Sequence, residues 1–252
     1  MTKLSVNLNR IALLRNSRGI GIPNLLHFAQ LAVDAGADGI TVHPRPDQRH
    51  ITVADVHALT AFVAQHPGIE FNIEGNPFTS GVAAFMPLVA AAKPHQCTLV
   101  PDEDAQATSD HGWDLSKDAA RVAPVVRVLK AQGFRVSLFM DPDAAQIKRA
   151  ADVGADRVEL YTKPWADACG TSQQEQVLGA YAQAAQAALA LGMQVNVGHD
   201  LNLNNLPAFV SNVPGIAEAS IGHALTSDAL EYGYKNTVAA YKAALNREPV
   251  RL

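Results

Sequence analysis

The sequence predicts a (β/α)₈ TIM barrel with extra short helices, and three observations lead to that fold class. Eight segments with the residue pattern of strands alternate with helical segments. The length of 252 residues is close to that of a typical barrel of this kind. A Gly-Ala-Asp tripeptide precedes a strand twice, in residues 36–43 and 154–161, as a repeated αβ unit would leave it. An open doubly wound sheet shows the same alternation, but no glycine-rich dinucleotide motif follows the first strand here.

The first half of the chain contains four of the predicted strands. Residues 4–8 alternate apolar and polar side chains, and a second strand begins at Ile40 after two glycines. Asn24 is a predicted helix cap, and Glu74 ends the third strand. The predicted elements are a strand at 4–8, a polar loop at 9–23, helices at 24–33, 53–64 and 82–92, and strands from 40, at 69–73 and at 96–100.

The second half begins with a long polar loop, residues 101–114, which we expect to contribute to closure of a site. We expect the same of the loop at residues 163–172. Pro124 predicts a kink or a break in the helix that follows. The remaining predicted helices are 115–132, 142–153, 172–191, 203–210 and 227–245, and the strands are 135–139, one within 154–161, 194–197 and 217–221. Because no linker or low-complexity segment interrupts this series, we expect one domain, 1–252.

Composition limits the class of protein. With 48% hydrophobic and 17% charged residues, the chain can form a substantial core and does not resemble a disordered protein. The net charge of −4 gives no support to a nucleic-acid partner. Cys97 lies in an apolar, strand-like run and predicts a buried free thiol in a reducing compartment. No signal region or membrane-length apolar run is present, so we expect a soluble, cytoplasmic protein without a membrane partner.

Ionisable residues follow the predicted strands at their carboxyl ends, which meet at one mouth in a barrel. Taken singly, a histidine at a strand end is more often structural, and Glu74 could be an exposed loop carboxylate. Glu159, inside a strand, requires a partner whether it points inward or toward a helix, and we expect it to point inward. Together, the ionisable residues at these strand ends are more numerous than packing of a barrel requires. These positions are Asn7, Asn9, His43, Arg45, Glu74, Thr108, Asp141, Glu159, His199, Gly222 and His223.

The stretch 40–51 carries the densest group of these residues. His43, Arg45, Arg49 and His50 lie within eight positions that Pro44 and Pro46 stiffen. This pattern is either a solvated surface loop or an anion-binding catalytic mouth. Histidine and glutamate suit proton transfer near neutral pH, and arginine binds phosphate in a bidentate way.

Backbone N–H groups after the last two strands complete the predicted phosphate site. Gly198-His-Asp200 and Ile221-Gly-His-Ala224 place small residues there, next to predicted helix starts. The sequence has no HxH or HExxH spacing, so we expect no metal. These residues therefore favour acid–base chemistry on a small phosphorylated substrate.

The residues also carry a resemblance to a known family. Gly36-Ala-Asp-Gly-Ile-Thr-Val-His-x-Arg-x-Asp-x-Arg-His-Ile51, Asn7-x-Asn-x-Ile-Ala-x-Leu-Arg-Asn-x-Arg-Gly19 and Asn196-x-Gly-His199 resemble the pyridoxine 5′-phosphate synthase family of the deoxyxylulose-dependent vitamin B6 pathway. Leu99-Val-Pro101, Val136-Ser-Leu-Phe139 and Ile221-Gly-His-Ala224 extend the resemblance over nearly the whole chain, in order.

This resemblance implies a barrel that assembles as a homo-octamer, a tetramer of dimers, and uses no cofactor. It implies condensation of 3-amino-2-oxopropyl phosphate with 1-deoxy-D-xylulose 5-phosphate to pyridoxine 5′-phosphate, phosphate and water. His43 and Glu74 would be proton acceptors, and His199 the proton donor. The implied binding residues are Arg45, His50 and Thr108 for the deoxyxylulose phosphate, Asn7, Arg18, Asp200, Gly222 and His223 for the aminoketone phosphate, and Glu159 as a further polar residue.

Two departures from the family pattern stand out. The usual Asn-x-Asp-His after the first strand is Asn7-Leu-Asn9-Arg10 here, so Asn9 can hydrogen-bond but not exchange a proton, and Arg10 adds a positive charge that can bind phosphate. The usual His-Thr-Gly after the sixth strand is Tyr161-Thr-Lys163. We interpret the chain as a sub-branch with the same reaction.

Two alternatives remain open at this level. One is another barrel isomerase or aldolase acting on a sugar phosphate. We expect no lysine inside a strand, which disfavours aldolases that form a Schiff base on lysine. The other is a barrel of the same family that binds or assembles without catalysis, which the residues at Asn9 and Arg10 would permit.

Overall fold

The computed structural model describes residues 1–103, 106 and 108–252. Eight parallel strands pair in sequence order, and β8 pairs with β1 to close the barrel. The predicted (β/α)₈ fold is therefore confirmed. The strands are β1 Lys3–Asn7, β2 Gly39–Val42, β3 Glu70–Gly75, β4 Gln96–Leu99, β5 Arg135–Met140, β6 Arg157–Leu160, β7 Gln194–Gly198 and β8 Ile216–Ile221.

Helices surround the sheet. In the described part of the chain, none is long and apolar enough to cross a membrane. The helices are α1 Asn9–Asn16, α2 Leu25–Asp34, α3 Val53–Ala64, α4 Phe85–Ala92, α5 Leu115–Ala131, α6 Ala144–Asp152, α7 Lys163–Ala168, α8 Gln174–Ala190, α9 Leu206–Asn212, α10 His223–Tyr232 and α11 Tyr234–Leu245.

Several predicted boundaries were wrong. The region 9–23, predicted as a loop, contains α1, which buries Ile11 and Ala12 despite its arginines. The loop expected at 163–172 contains α7. The predicted last helix is two helices, because Gly233 between them adopts a φ of +81°, which a helix cannot continue through. Pro124 does not break α5, which runs through it as one helix.

The apolar core lies between the sheet and the helices. Leu4, Val6, Ile40 and Val42 are fully buried and alternate along their strands with polar residues. The inside of a barrel usually contains layers of bulky branched apolar side chains. Here the alternate side is polar, so hydrophobic burial comes from the outer layer of the sheet.

Polar side chains inside the barrel bond to one another across the strands. The Ser5 and Thr41 hydroxyls lie 2.7 Å apart, and the Thr98 hydroxyl donates to Asn72 Oδ1 at 3.1 Å. Nearer the amino ends of the strands, Arg157 Nη1 lies 3.2 Å from Glu218 Oε2. These bonds satisfy groups that would be costly to bury alone.

The loop 101–114 connects β4 to α5. Residues 104, 105 and 107 of the predicted closing loop lie outside the described part of the chain. Asp102 and Ser109 are buried, and the Trp113 indole N–H donates to the Leu99 carbonyl at 2.9 Å. Both ends of the loop are thus attached to the barrel beside the carboxyl ends of the strands.

Candidate active site

A cavity of about 510 Å³ opens at the carboxyl ends of the strands. It is lined by all but two of the predicted site residues, which lie far apart in sequence. Those that line it are Asn7, Asn9, Arg10, His43, Arg45, His50, Glu74, Thr108, Glu159, His199, Asp200, Gly222 and His223. The exceptions are Arg18, which is exposed after α1, and Asp141, which follows β5.

His43 lies between two carboxyl groups at the floor of this cavity. Its Nδ1 is 3.8 Å from Glu74 Oε2, and its Nε2 is 3.8 Å from Asp102 Oδ2. All three residues are less than a tenth exposed. The geometry places a base and a carboxyl group within a short rearrangement of a direct hydrogen bond.

Burial shifts the proton affinities of this pair in opposite directions. It lowers the pKa of His43 well below its usual value, and the nearby charge of Arg45 lowers it further. It raises the pKa of Glu74, as does the neighbouring Asp102 carboxylate. At neutral pH the free chain therefore holds His43 neutral and ready to accept a proton, whereas Glu74 retains its proton and accepts one only after releasing its own.

Asparagine side chains at the start of α1 connect the first strand to His43. The Asn9 backbone N–H donates to Asn7 Oδ1 at 3.0 Å, and Asn9 Oδ1 accepts from the His43 backbone N–H at 2.9 Å. Gly222 lies against Asn7, because a Cβ at Gly222 would be only 2.9 Å from the Asn7 Cβ. Asn9, which replaces an expected aspartate, thus positions the His43 backbone.

A basic cluster lies on the β2 side of the cavity. The Arg45 side chain is buried and donates through Nη2 to Asp102 Oδ2 at 2.6 Å. His50 Nδ1 accepts from the Ile51 N–H at 2.9 Å, so its Nε2 is the nitrogen that carries a proton in the neutral ring. Burial, with Arg45 and Arg10 nearby, lowers the pKa of His50 to about 4. The cluster offers an anion both positive charge and a neutral imidazole donor.

A second group lies on the β7 and β8 side. His199 Nδ1 is 2.5 Å from Asp200 Oδ2, and its Nε2 is 2.9 Å from the Thr108 hydroxyl. His199 has a φ of +51°, a conformation that non-glycine residues adopt rarely and that occurs at functional sites. Gly222 and His223 begin α10, whose N-terminus faces the cavity. A helix N-terminus presents backbone N–H donors and a positive dipole to an anion.

Glu159 of β6 lines the cavity, and Tyr161, which follows this strand, packs beside His199. Glu159 points inward, as predicted, and its Oε2 is buried without a hydrogen-bond partner among the described residues. Burial and the nearby Glu74 raise its pKa well above the usual value, which favours the protonated form of Glu159. Tyr161, which replaces an expected histidine, packs edge-on against the His199 ring at 5.5 Å between centroids.

Sequence reasoning missed several contributors to the site, among them Ser109 and Asn202, which line the cavity. Asp102, beside His43 and Arg45, was read only as part of a polar loop. Lys163 and Ser220 line the cavity but were not among the candidates. The alternation along β8 would have pointed to Ser220, since it lies two residues before Gly222 on the same face. Asp141, at the end of β5, is absent from the cavity lining.

The fold and site together define a barrel with acid–base groups between two anion-binding groups at the carboxyl ends of its strands. The family described as pyridoxal phosphate biosynthesis protein PdxJ matches residues 4–247. The chain belongs to this family, and the resemblance inferred from the sequence is confirmed.

Relatives agree with this assignment. The chain is 56% identical over 241 residues to a pyridoxine 5′-phosphate synthase from Albidiferax ferrireducens, which covers 95% of this chain and 96% of the relative. It is 51% identical over 247 residues to the protein of that name from Xanthomonas campestris pv. campestris, covering 97% and 96%. Phosphoribosyl anthranilate isomerase from Thermotoga maritima shares the fold, with a TM-score of 0.60 at 12% identity over 98% of this chain and 100% of the other.

Proposed function

We propose that the chain is a pyridoxine 5′-phosphate synthase that condenses 3-amino-2-oxopropyl phosphate with 1-deoxy-D-xylulose 5-phosphate. The observation that carries this proposal is one cavity in which two separate anion-binding groups flank the His43–Glu74 pair. A volume of about 510 Å³ lies within the usual range for sites that bind small molecules. Holding each substrate by its phosphate supplies the orientation that a reaction between two molecules requires.

The β2 side binds the deoxyxylulose phosphate in this proposal. Arg45 is the charged donor, and the neutral His50 donates through Nε2. Arg10, at the start of α1, adds a positive charge close enough to His50 to influence its proton affinity. Thr108 approaches the same substrate from the opposite wall, next to His199.

The β7 and β8 side binds the aminoketone phosphate. Gly222 and His223 supply backbone donors at the start of α10, and Asn7 borders Gly222. The Asp200 backbone N–H donates to the Thr162 hydroxyl at 3.3 Å, a long contact that a phosphate oxygen can replace. Arg18 takes part only if its segment closes over the cavity or a neighbouring subunit supplies it, because in this chain it lies outside.

The chemistry follows from the protonation states in the free chain. The amine attacks the ketone of the deoxyxylulose phosphate, and the neutral His43 accepts the proton that the amine releases. Glu74 exchanges protons during imine and enamine formation. The deoxyxylulose part then loses its phosphate by elimination, and water adds at the carbon that carried it. An aldol-type closure onto the carbonyl of the aminoketone forms the ring, which keeps the phosphate of the aminoketone. His199, which hydrogen-bonds Asp200 through Nδ1, protonates the leaving hydroxyl. Glu159, in its protonated form, donates a hydrogen bond to a substrate oxygen.

We further propose a homo-octamer, built as a tetramer of dimers, in the cytoplasm, without a metal or organic cofactor and without a nucleic-acid or membrane partner. Large apolar side chains are exposed around α1, which contacts both α2 and α10. Leu14 is 54% exposed, Ile22 63% and Leu230 83%, and exposed apolar side chains of this size favour burial against another subunit. Because Arg18 lies in this region, the same contact would place it near a neighbouring copy.

A barrel aldolase that forms a Schiff base is the first alternative. The expectation that no lysine lies in a strand was wrong, because Lys3 begins β1, but it lies at the opposite end of the barrel and pairs with Glu70. Lys163 lines the cavity, yet its pairing with Asp167 raises its pKa. A lysine nucleophile needs the opposite shift. The other alternative is a barrel that binds both phosphates without catalysis.

One experiment separates these possibilities. Both phosphorylated substrates are supplied to the purified protein, and absorbance of the pyridine product is followed together with phosphate release. Each substrate alone is the control. Product that forms only with both substrates supports the synthase. Turnover of a single substrate indicates an isomerase or aldolase, and binding of both without turnover indicates a non-catalytic barrel.

A further inference from the structure

Asp102 lies next to His43, the proposed proton acceptor, and Arg45, the proposed phosphate-binding residue. It follows β4 by three residues, is 4% exposed and does not line the cavity. Its backbone carbonyl accepts from Asn76 Nδ2 at 2.8 Å, which attaches this part of the loop to the end of β3. The carboxyl group is therefore held at a fixed position next to the site.

One oxygen of Asp102 makes all of its side-chain contacts. Oδ2 accepts from Arg45 Nη2 at 2.6 Å and from the Ser109 hydroxyl at 2.6 Å, and it lies 3.8 Å from His43 Nε2. The other oxygen, Oδ1, is buried without a hydrogen-bond partner among the described residues. A buried carboxylate with an unsatisfied oxygen is costly, so this arrangement is poorly explained as a device for stability alone.

The contact with Arg45 determines which donors remain for a substrate. A guanidinium has five N–H donors in one planar fork. Arg45 uses Nη2 for Asp102 and Nη1 for the Gln106 carbonyl at 3.3 Å, and these contacts fix the plane of the group. The remaining donors serve an anion in the cavity that Arg45 lines. Without Asp102, the guanidinium would lose both its orientation and its buried counter-charge.

The contact with His43 has a second consequence. Glu74 and Asp102 flank the two nitrogens of the ring, each at 3.8 Å, so the imidazole has a carboxyl group on either side. The charged or titratable groups that act on Glu74 are His43, Asp102, Arg45, Glu159 and Glu218. Asp102 is the carboxyl group among them that also holds Arg45.

We propose that Asp102 is a positioning residue, which fixes the Arg45 guanidinium for the substrate phosphate and holds a negative charge beside His43 and Glu74. This inference rests on the proposed synthase function and adds to it a residue that does not touch the cavity. It links phosphate binding and proton transfer through one side chain.

The test compares Asp102→Asn, which removes the charge with little change in shape, with Asp102→Glu, which keeps the charge and moves it by one methylene. Asp110→Asn is the matched control, since Asp110 lies in the same loop but is exposed and contacts His111 and Gln106. For each full-length variant, kcat and the KM of both substrates are measured between pH 5 and 10, together with Tm.

Asp102→Asn should raise the KM of the deoxyxylulose phosphate at least tenfold and leave the KM of the aminoketone phosphate within about twofold. Its kcat–pH profile should move to lower pH, because His43 and Glu74 both lose a neighbouring negative charge that favours their protonated forms. Asp102→Glu should keep the wild-type pH profile and raise only the KM of the deoxyxylulose phosphate. Asp110→Asn should match the wild type.

Asp102→Asn with a wild-type profile and unchanged KM values overturns the inference, as does a loss of activity that affects both substrates equally with an unmoved profile. If Asp102→Asn does not fold, Asp102→Glu decides: unchanged KM values for both substrates refute the positioning role. A wild-type protein that forms no pyridine product refutes the synthase proposal itself, which is a distinct result.

Discussion

Gly222→Ala tests whether the contacts at the end of β8 position the proton-transfer residues. The added Cβ would lie 2.9 Å from the Asn7 Cβ and 3.1 Å from its Oδ1. Carbon atoms in normal contact are about 3.5 Å apart or more, so Asn7 must move by roughly 0.6 Å. Gly222 has a φ of −130°, outside the left-handed region that favours glycine, so the predicted effect is argued from the contact with Asn7 alone.

The displacement should reach His43 through two hydrogen bonds. Asn7 Oδ1 holds the Asn9 N–H, and Asn9 Oδ1 holds the His43 N–H. Because misplacing reacting groups by about 1 Å can cost on the order of 10²-fold, we expect kcat/KM to fall roughly 10- to 100-fold. The free energy of unfolding should fall by about 1–3 kcal/mol from overpacking.

Steady-state kinetics with both substrates, together with thermal unfolding, measures these effects. Gly179→Ala is the control, since Gly179 lies inside α8 with nothing within 4 Å of the added Cβ. It should gain about 0.5–1 kcal/mol of stability and keep its activity. If Gly222→Ala shows wild-type kcat/KM for both substrates while Tm falls as expected, the contacts do not transmit the displacement, and the reasoning is refuted.

Four further predictions follow from the same geometry. His43→Asn should lower turnover about 10³-fold, since a general base contributes a factor on the order of 10²–10⁴. Its affinity for inorganic phosphate, measured by calorimetry, should stay within about threefold of wild type. Normal turnover would exclude His43 as the base. The fold lowers the pKa of His50 to about 4, so the folded chain favours the neutral ring more than the unfolded chain does. The contribution of His50 to the free energy of unfolding is therefore fully present above pH 6.5 and is lost as the pH falls from 6.5 to 4. His50→Gln should therefore flatten the fall of Tm in that range, and an unchanged slope would contradict this. Arg157→Met should cost roughly 3 kcal/mol by leaving Glu218 buried without its partner, and Arg157→Met/Glu218→Leu should recover most of that loss in denaturant unfolding. Lys163 lines the cavity and lies close enough to Asp200 for the carboxylate to influence its pKa, which associates it with the β7 and β8 side. Lys163→Met should therefore raise the KM of the aminoketone phosphate about threefold and leave the KM of the deoxyxylulose phosphate unchanged. Equal effects on both KM values would contradict this placement.

The strands and their terminal residues were predictable because each strand carries a strong local signal. β-branched or alternating residues, bounded by glycine, define the strands, and closure of a parallel barrel then requires their carboxyl ends to meet. This reasoning placed His43, Glu74 and His199 at one cavity although 156 residues separate the first from the last. It worked because strand ends are fixed by the sheet and not by loop conformation.

Residues on loops and short helices were less predictable. The exposed leucines of α1 gave no single apolar face, so its helix was missed. Arg18, which the family resemblance implied as a binding residue, does not line the cavity. Asp102 carries no distinguishing signal in an acidic loop. Its importance depends on a turn after β4 that brings it to Arg45, a contact between residues 57 positions apart.

In this barrel, apolar packing and the polar floor of the cavity belong to different sets of residues. Since apolar burial lies outside the sheet, side chains such as Ser5, Thr41 and Asn72 are held inside the barrel by hydrogen bonds and not by apolar contacts. During evolution, or in redesign, such positions can exchange for other small polar residues while the outer layer keeps the fold intact. The floor of the cavity can therefore be redesigned with small polar residues that keep these hydrogen bonds, without any change to the apolar layer that holds the barrel together.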